Sequence, residues 1–192
     1  MVSEPAPGES AYSSIALVNT RVLRAGSMVD LLADVPAAGA WLELHSNGVA
    51  GGIVLIPADA AQLIDLREST RALFEAHHAG QLPAARSVAT VNAAAAAAPL
   101  VPDLIWTTSD GPRVTGQRLG RSASAKAMAY LAADAMNLLT SPSSAELTAC
   151  GAHGCIRWFL RTHAARQWCS TRCGDRVRAA RHYARHHPGD TV

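Results

Sequence analysis

All four cysteines of the chain, Cys150, Cys155, Cys169 and Cys173, fall within one window of 24 residues, and the 149 residues before it hold none. They come as two pairs, Cys150-x4-Cys155 and Cys169-x3-Cys173, with 13 residues between the pairs. Zinc takes four soft donors at tetrahedral corners, and two short-spaced pairs on separate turns supply them while a hairpin fills the middle. Gly151 and Gly154 allow the tight backbone that a knuckle at the first pair requires. Disulfides would require export, and the N-terminus lacks the basic and then apolar pattern of a secretory signal. His153 and His163 are alternative donors, but four thiolates already close the shell, and a closed shell leaves no place for an activated water. A structural zinc on Cys150, Cys155, Cys169 and Cys173 is therefore expected.

Charge sets the same piece apart. Residues 150–192 hold eight arginines against two aspartates, a net of +6, whereas residues 1–149 hold nine basic against thirteen acidic side chains, a net of −4. Four thiolates and a divalent ion would leave the C-terminal piece at +4. Such asymmetry points to a polyanion meeting that piece and not the rest. Helical spacing from Cys173 places Val177, Ala180 and Ala184 on the side of the metal core and Arg178, Arg181 and Arg185 on a neighbouring stripe, with His182 beside it. Arg176 and Tyr183 lie across the helix, near His187.

Arginine forks onto phosphate oxygens and guanine edges, so Arg176, Arg178, Arg181, His182 and Arg185 are the candidate nucleic-acid contacts. The plainer alternative is a solvated face, or one docked on an acidic partner or on the acidic N-terminal part. No glutamate occurs in the module, although a solvated helix usually mixes signs. Trp158, Phe159, Trp168 and Tyr183 could stack on unpaired RNA bases, yet at this spacing they suit the small core a finger needs.

Over the whole chain a hydrophobic fraction of 49% is ample for a core. Residues 1–13 read as a disordered leader, residues 14–140 as one domain, 141–147 as a linker and 148–192 as the finger. "SIALVNTRVL", Ser14 to Leu23, suits a helix better than a strand. Asp34 and Pro36 open a short helix over "VPAAGAWLELH", and "GGIVLIP" is a short strand or an extended approach to the next helix. Leu63, Leu66, Leu73, Phe74 and His77 form the apolar stripe of a long helix closed by Gly80, and an alanine-rich helix follows between Pro83 and Pro99. "LIWTT" and "RVTGQRL" around "SDGP" predict a hairpin, and Met128, Leu131, Ala135, Leu138 and Leu139 line a further helix behind serine caps.

Candidates for chemistry in this part are few. Asn19 and Thr20 suit turn capping better than ligand contact. His45, His77 and His78 are candidate acid/base or metal groups, but a lone histidine on an apolar stripe, as His77 is, is usually satisfied and partly buried. Gly51 and Gly52 lack a phosphate-loop pattern, and no nucleophile-elbow, zinc-protease or paired-carboxylate arrangement occurs, so no enzyme is expected.

"CGDR", Cys173 to Arg176, together with the first cysteine pair, "RWFLRT" and "WCS", resembles the CGNR zinc-finger family. "ALVNTRVL…DLLADVPAAGAWL", "LREST…ALFEA" and the alanine-rich helix are similar to the ABATE-type domain that commonly precedes that finger. The resemblance runs from about Ser14 to His187. It departs at Asp175, where the motif has asparagine, at Arg161, where an acidic residue is expected, and in the tight spacing of the second cysteine pair.

What it implies is an α+β protein: a mainly helical N-terminal α/β domain with a short hairpin, then a small treble-clef-like zinc finger ending in a basic helix. Proteins of this kind are bacterial and described as stress-related transcriptional regulators. The expectation is thus a cytoplasmic, zinc-dependent DNA-binding regulator, with a homodimer as a candidate assembly, whose N-terminal domain serves for sensing an unknown small ligand or protein or for association. A zinc-stapled protein-interaction module and an RNA binder are the alternatives.

Overall fold

Two helical stripes and a turn-rich C-terminal segment organise the chain around three apolar clusters. The computed structural model describes residues 4–24, 26–49 and 51–186. Helix α1 (Ser13–Val18) is followed by the hairpin β1 (Arg21–Arg24) and β2 (Ser27–Asp30), with Val22 facing Val29. The stretch expected to be one helix is therefore a helix and a strand. Its apolar residues serve two periods in succession, and Asn19 and Thr20 form the turn between them.

Helix α2 (Val35–His45) opens on Asp34, whose carboxylate accepts from the Ala37 amide at 2.8 Å, with Pro36 in its first turn. The segment after it runs extended into α3 (Pro57–His78), which the left-handed Gly80 closes, and α4 (Ala85–Ala96) follows. The hairpin β3 (Leu100–Thr107) and β4 (Gly111–Arg118) turns at Gly111, whose φ is 71°. Helix α5 (Ala123–Thr140) begins on the Ser122 cap.

Helices α3, α4 and α5 pack against one another, and α1 and α2 close over them. Leu42, Leu63, Leu66, Val91, Leu131 and Ala132 meet in the main core. On the stripe of α3, Leu73 is half-buried and His77 is exposed. The expected partial burial of His77 is thus corrected, although its Nε2 does sit 3.1 Å from the Ser144 carbonyl.

The stretch Pro142–Glu146 is a short 3-10 turn leading to β5 (Leu147–Ala149), β6 (Trp158–Leu160) and α6 (Thr171–His186). β5 and β6 pair antiparallel, with Thr148 opposite Phe159. The leader is a second correction. Residues 4–12 form turns that lie on the finger, with Ala6 buried beside the cysteines and the Leu160 amide donating to the Pro7 carbonyl at 2.8 Å. Gly8 makes the fit possible: its φ is 96°, and a Cβ there would come within 2.8 Å of Leu160 Cγ. Among the described residues no helix is long and apolar enough to cross a membrane.

Candidate metal centre and basic helix

The knuckle of the first cysteine pair is a turn held by the backbone. The Cys155 amide donates to the Ala152 carbonyl at 2.9 Å, the Cys150 amide to Arg157 at 2.9 Å and the Gly151 amide to Gln167 at 3.0 Å. Gly154 adopts φ 69° there, the left-handed conformation that a side chain disfavours. The second pair straddles the start of α6, where Ser170 accepts from the Cys173 amide through its hydroxyl at 3.2 Å and from the Gly174 amide through its carbonyl at 3.2 Å.

These two turns bring all four sulfurs within 4.8 Å of one another. Cys169 Sγ lies 3.8 Å from that of Cys155 and 3.7 Å from that of Cys173. A tetrahedral zinc with bonds of about 2.3 Å requires sulfur edges of about 3.8 Å, whereas a disulfide brings sulfurs to about 2.05 Å. Both of these edges at Cys169 have the first spacing, and all four cysteines are free of disulfides. His153 and His163 are exposed and outside the cluster.

Crowding splits the thiols. Cys150 accepts from the Cys155 and Cys169 thiols, and its sulfur also accepts from the Cys169 amide at 3.3 Å; it is driven down to about 2. Proximity to Cys150 pushes Cys155 up to about 11 and raises Cys169 as well. The four protons do not leave together unaided. A divalent cation neutralises the crowded thiolates and so makes that state accessible.

From Cys173 the helix carries the basic residues outward. Arg176 reaches back to Cys173 Sγ at 3.8 Å. Arg178 lies over the Trp168 ring, 5.9 Å from its centroid, and is paired with Asp175 at 2.6 Å. The glycine of the "CGDR" motif leaves room for this stack, because a Cβ on Gly174 would meet Arg178 at 3.1 Å and Trp168 at 3.2 Å. Val177 is half-buried against the metal core, as its phase requires, but Ala180 and Ala184 are exposed: the helix outruns the small finger that could cover them. Arg176, Arg178, Arg181, His182 and Arg185 are all exposed, and His187 lies outside the described residues. Asp175 thus engages one of the candidate arginines. Arg161, the other departure, faces Glu146 at 3.5 Å.

A junction that sequence reasoning missed fastens this finger to the helices. Asn19, read above as a turn cap, spans both backbone groups of Trp158: its Nδ2 donates to the carbonyl at 2.8 Å and its Oδ1 accepts from the amide at 2.7 Å. Its Nδ2 also donates to Glu9, which takes a second bond from Arg157 at 2.8 Å. Arg71 donates to the carbonyls of Ile156 and Val18. Trp158 itself is buried with Ile15, Val18, Phe74 and Leu138.

The signal in sequence was weak: one asparagine beside a threonine, whose own hydroxyl does donate locally, to the Leu17 carbonyl. Asn19→Ala would leave the buried amide and carbonyl of Trp158 without partners. A loss of about 3 kcal/mol is expected in urea unfolding of the zinc-loaded chain. A shift within about 0.5 kcal/mol, as for a surface change, would remove Asn19 from the junction. The histidines singled out in sequence have local partners: His45 stacks on Trp41 and His78 packs edge-on to Trp158.

An α+β helical domain fastened to a four-cysteine module with a protruding basic helix defines a protein of the zinc-finger class. Residues 13–142 match the ABATE family model, described as "Putative stress-induced transcription regulator", and residues 146–186 match the CGNR zinc finger. The chain belongs to the ABATE family and carries a CGNR finger, whose cofactor is zinc. These families are regulatory rather than enzymatic. No curated protein matches the chain.

Proposed function

We propose that Cys150, Cys155, Cys169 and Cys173 hold one structural zinc, and that the finger so formed presents α6 to duplex DNA as a transcriptional regulator. The observation that carries the DNA reading is the basic half of α6. Its first turn is pinned by the buried Cys173 and Gly174, while every residue from Arg178 to His186 is exposed. A rigid helix with one face of arginines and no packing obligation has the reach and charge to enter a groove and grip phosphates. Among the described residues no carboxylate pairs with Arg181 or Arg185, and the Asp175 partner of Arg178 is itself exposed, so a phosphate can displace it at little cost.

Five phosphate contacts give a log–log salt slope of roughly −4.5. Binding of the zinc-loaded chain to duplex DNA should therefore weaken steeply with salt. Triple replacement of Arg178, Arg181 and Arg185 by alanine is expected to flatten that slope by roughly 3 and to leave zinc content unchanged. Flat salt dependence of the unmutated chain, or DNA binding that survives the triple replacement, would sink the reading. In either case the basic helix would serve a protein partner instead.

A further inference from the structure

The hairpin β3–β4 has a bare apolar face. Leu100, Pro102, Leu104 and Trp106 alternate onto one side of β3, and their register partners Pro112, Val114 and Gly116 share that side. Trp106 is 72% exposed, Val114 71%, Leu104 63% and Leu100 56%. The opposite face mixes Val101 and Ile105 with Asp103, Arg113, Thr115 and Gln117, so it is the more polar of the two. A lone two-stranded hairpin is marginal in water unless a third layer covers it, and the rest of this chain scarcely touches β3–β4.

We propose that this face is the dimer interface, and that its occupant is the same face of a second copy of the chain. Three observations select that occupant. The four exposed side chains offer on the order of 500 Å² of apolar surface, so two copies would bury about 1,000 Å², where specific interfaces begin. Pro102 and Pro112 each lack the N–H that extending the sheet by its edges would use, which leaves the face as the contact.

Charge sets the orientation. Arg118, opposite Leu100 at the hairpin base, is the one charged residue on that side; it is half-buried and donates one Nη to the Ala98 carbonyl at 3.1 Å, which leaves its other Nη to face a partner. An antiparallel two-fold packing brings each base over the other copy's tip, where the exposed Asp110 sits. The inference is independent of what α6 binds.

Sedimentation of the zinc-loaded full chain over a dilution series tests it. A dimer is expected, and the Leu104→Glu/Val114→Glu pair should raise its dissociation constant on the order of 100-fold or more, because buried carboxylates would face each other. Zinc content and helical signal should stay unchanged, and Arg113→Glu on the polar face should leave the dimer intact. A chain that is monomeric at every concentration, or a dimer that persists in the double variant, overturns the assignment. Should the double variant not fold, iodide quenching of Trp106, read as the difference from Trp106→Phe, decides. Shielding at high concentration that is lost on dilution supports the interface, and equal quenching at both overturns it.

Discussion

Serine at position 169 is expected to abolish zinc retention and to unfold the finger outright rather than loosen it. Cys169 is buried, its sulfur is central to the cluster, and its amide donates to Cys150. Besides the cysteines, the finger's core holds Phe159 and Ala152 with Ala6 borrowed from the leader, and Trp168 and Val177 at its edge. So small a core cannot offset the ordering of some forty residues, whereas a structural zinc contributes on the order of 10 kcal/mol. The damage should spread through Trp158 and Asn19 to α1, because those residues join the two clusters.

Hydrogen exchange with metal quantification reads this directly. Protection should vanish over residues 147–186 and fall over Ser13–Thr20, while the amides around Leu63 and Leu131 in the main core stay protected. A chelator should reproduce the pattern. Zinc retention should decline as pH falls, since the metal must displace the protons that crowding holds on Cys155 and Cys169. A Cys169→Ser chain that keeps its zinc and its finger protection would remove this cysteine from the ligand set.

What was legible beforehand follows from how local each signal is. The cysteine spacing, the Asp34 and Ser122 caps and the stripe of α3 are written within a few residues of where they act, and each appears in the structure. The β3–β4 hairpin was legible from its turn sequence, but not the bareness of its face, since alternation in sequence does not tell a covered face from an open one. The phase of α6 was right and its burial was not. A helical wheel assigns sides, and only the size of the finger decides how far along the helix a side is covered.

The junction was illegible for a different reason. Asn19 and Trp158 are 139 residues apart, and neither Glu9 nor Arg157 marks itself as anything but a surface charge. The leader looked disordered from its composition, yet it is the finger's shortage of core that draws Ala6 in. A small module takes apolar surface from whatever segment is within reach.

Arg67 had a sequence signal of its own, a charge inside the apolar stripe of α3, and replacing it by methionine is expected to cost about 3 kcal/mol. The side chain is 2% exposed, and it forks onto both oxygens of Asp30 at 2.6 and 2.8 Å. It also donates to Thr20 at 3.1 Å and to Glu68 at 2.9 Å, so it joins α3 to the end of β2 and the turn after α1. Methionine preserves the stem and strands Asp30, whose remaining partner is the Leu32 amide. The midpoint of thermal unfolding should fall by roughly 10 °C. Adding Asp30→Leu should restore part of the loss, because it removes the half-buried carboxylate left without its arginine.

The pH dependence separates the ion pair from simple packing. Burial, the largest single influence on Asp30, pushes its carboxyl up, but the Arg67 hydrogen bond, the Leu32 amide and the Arg67 charge outweigh it and hold the group below its ordinary value. A carboxylate depressed on folding contributes stability that is present above the unfolded value and lost as pH falls through the folded one. The gap between Arg67→Met and the unmutated chain should therefore be full at pH 6 and shrink below about pH 4. A gap that stays constant from pH 6 to about pH 3 would mean that Arg67 acts by filling space, and that the pairing with Asp30 contributes nothing to the fold.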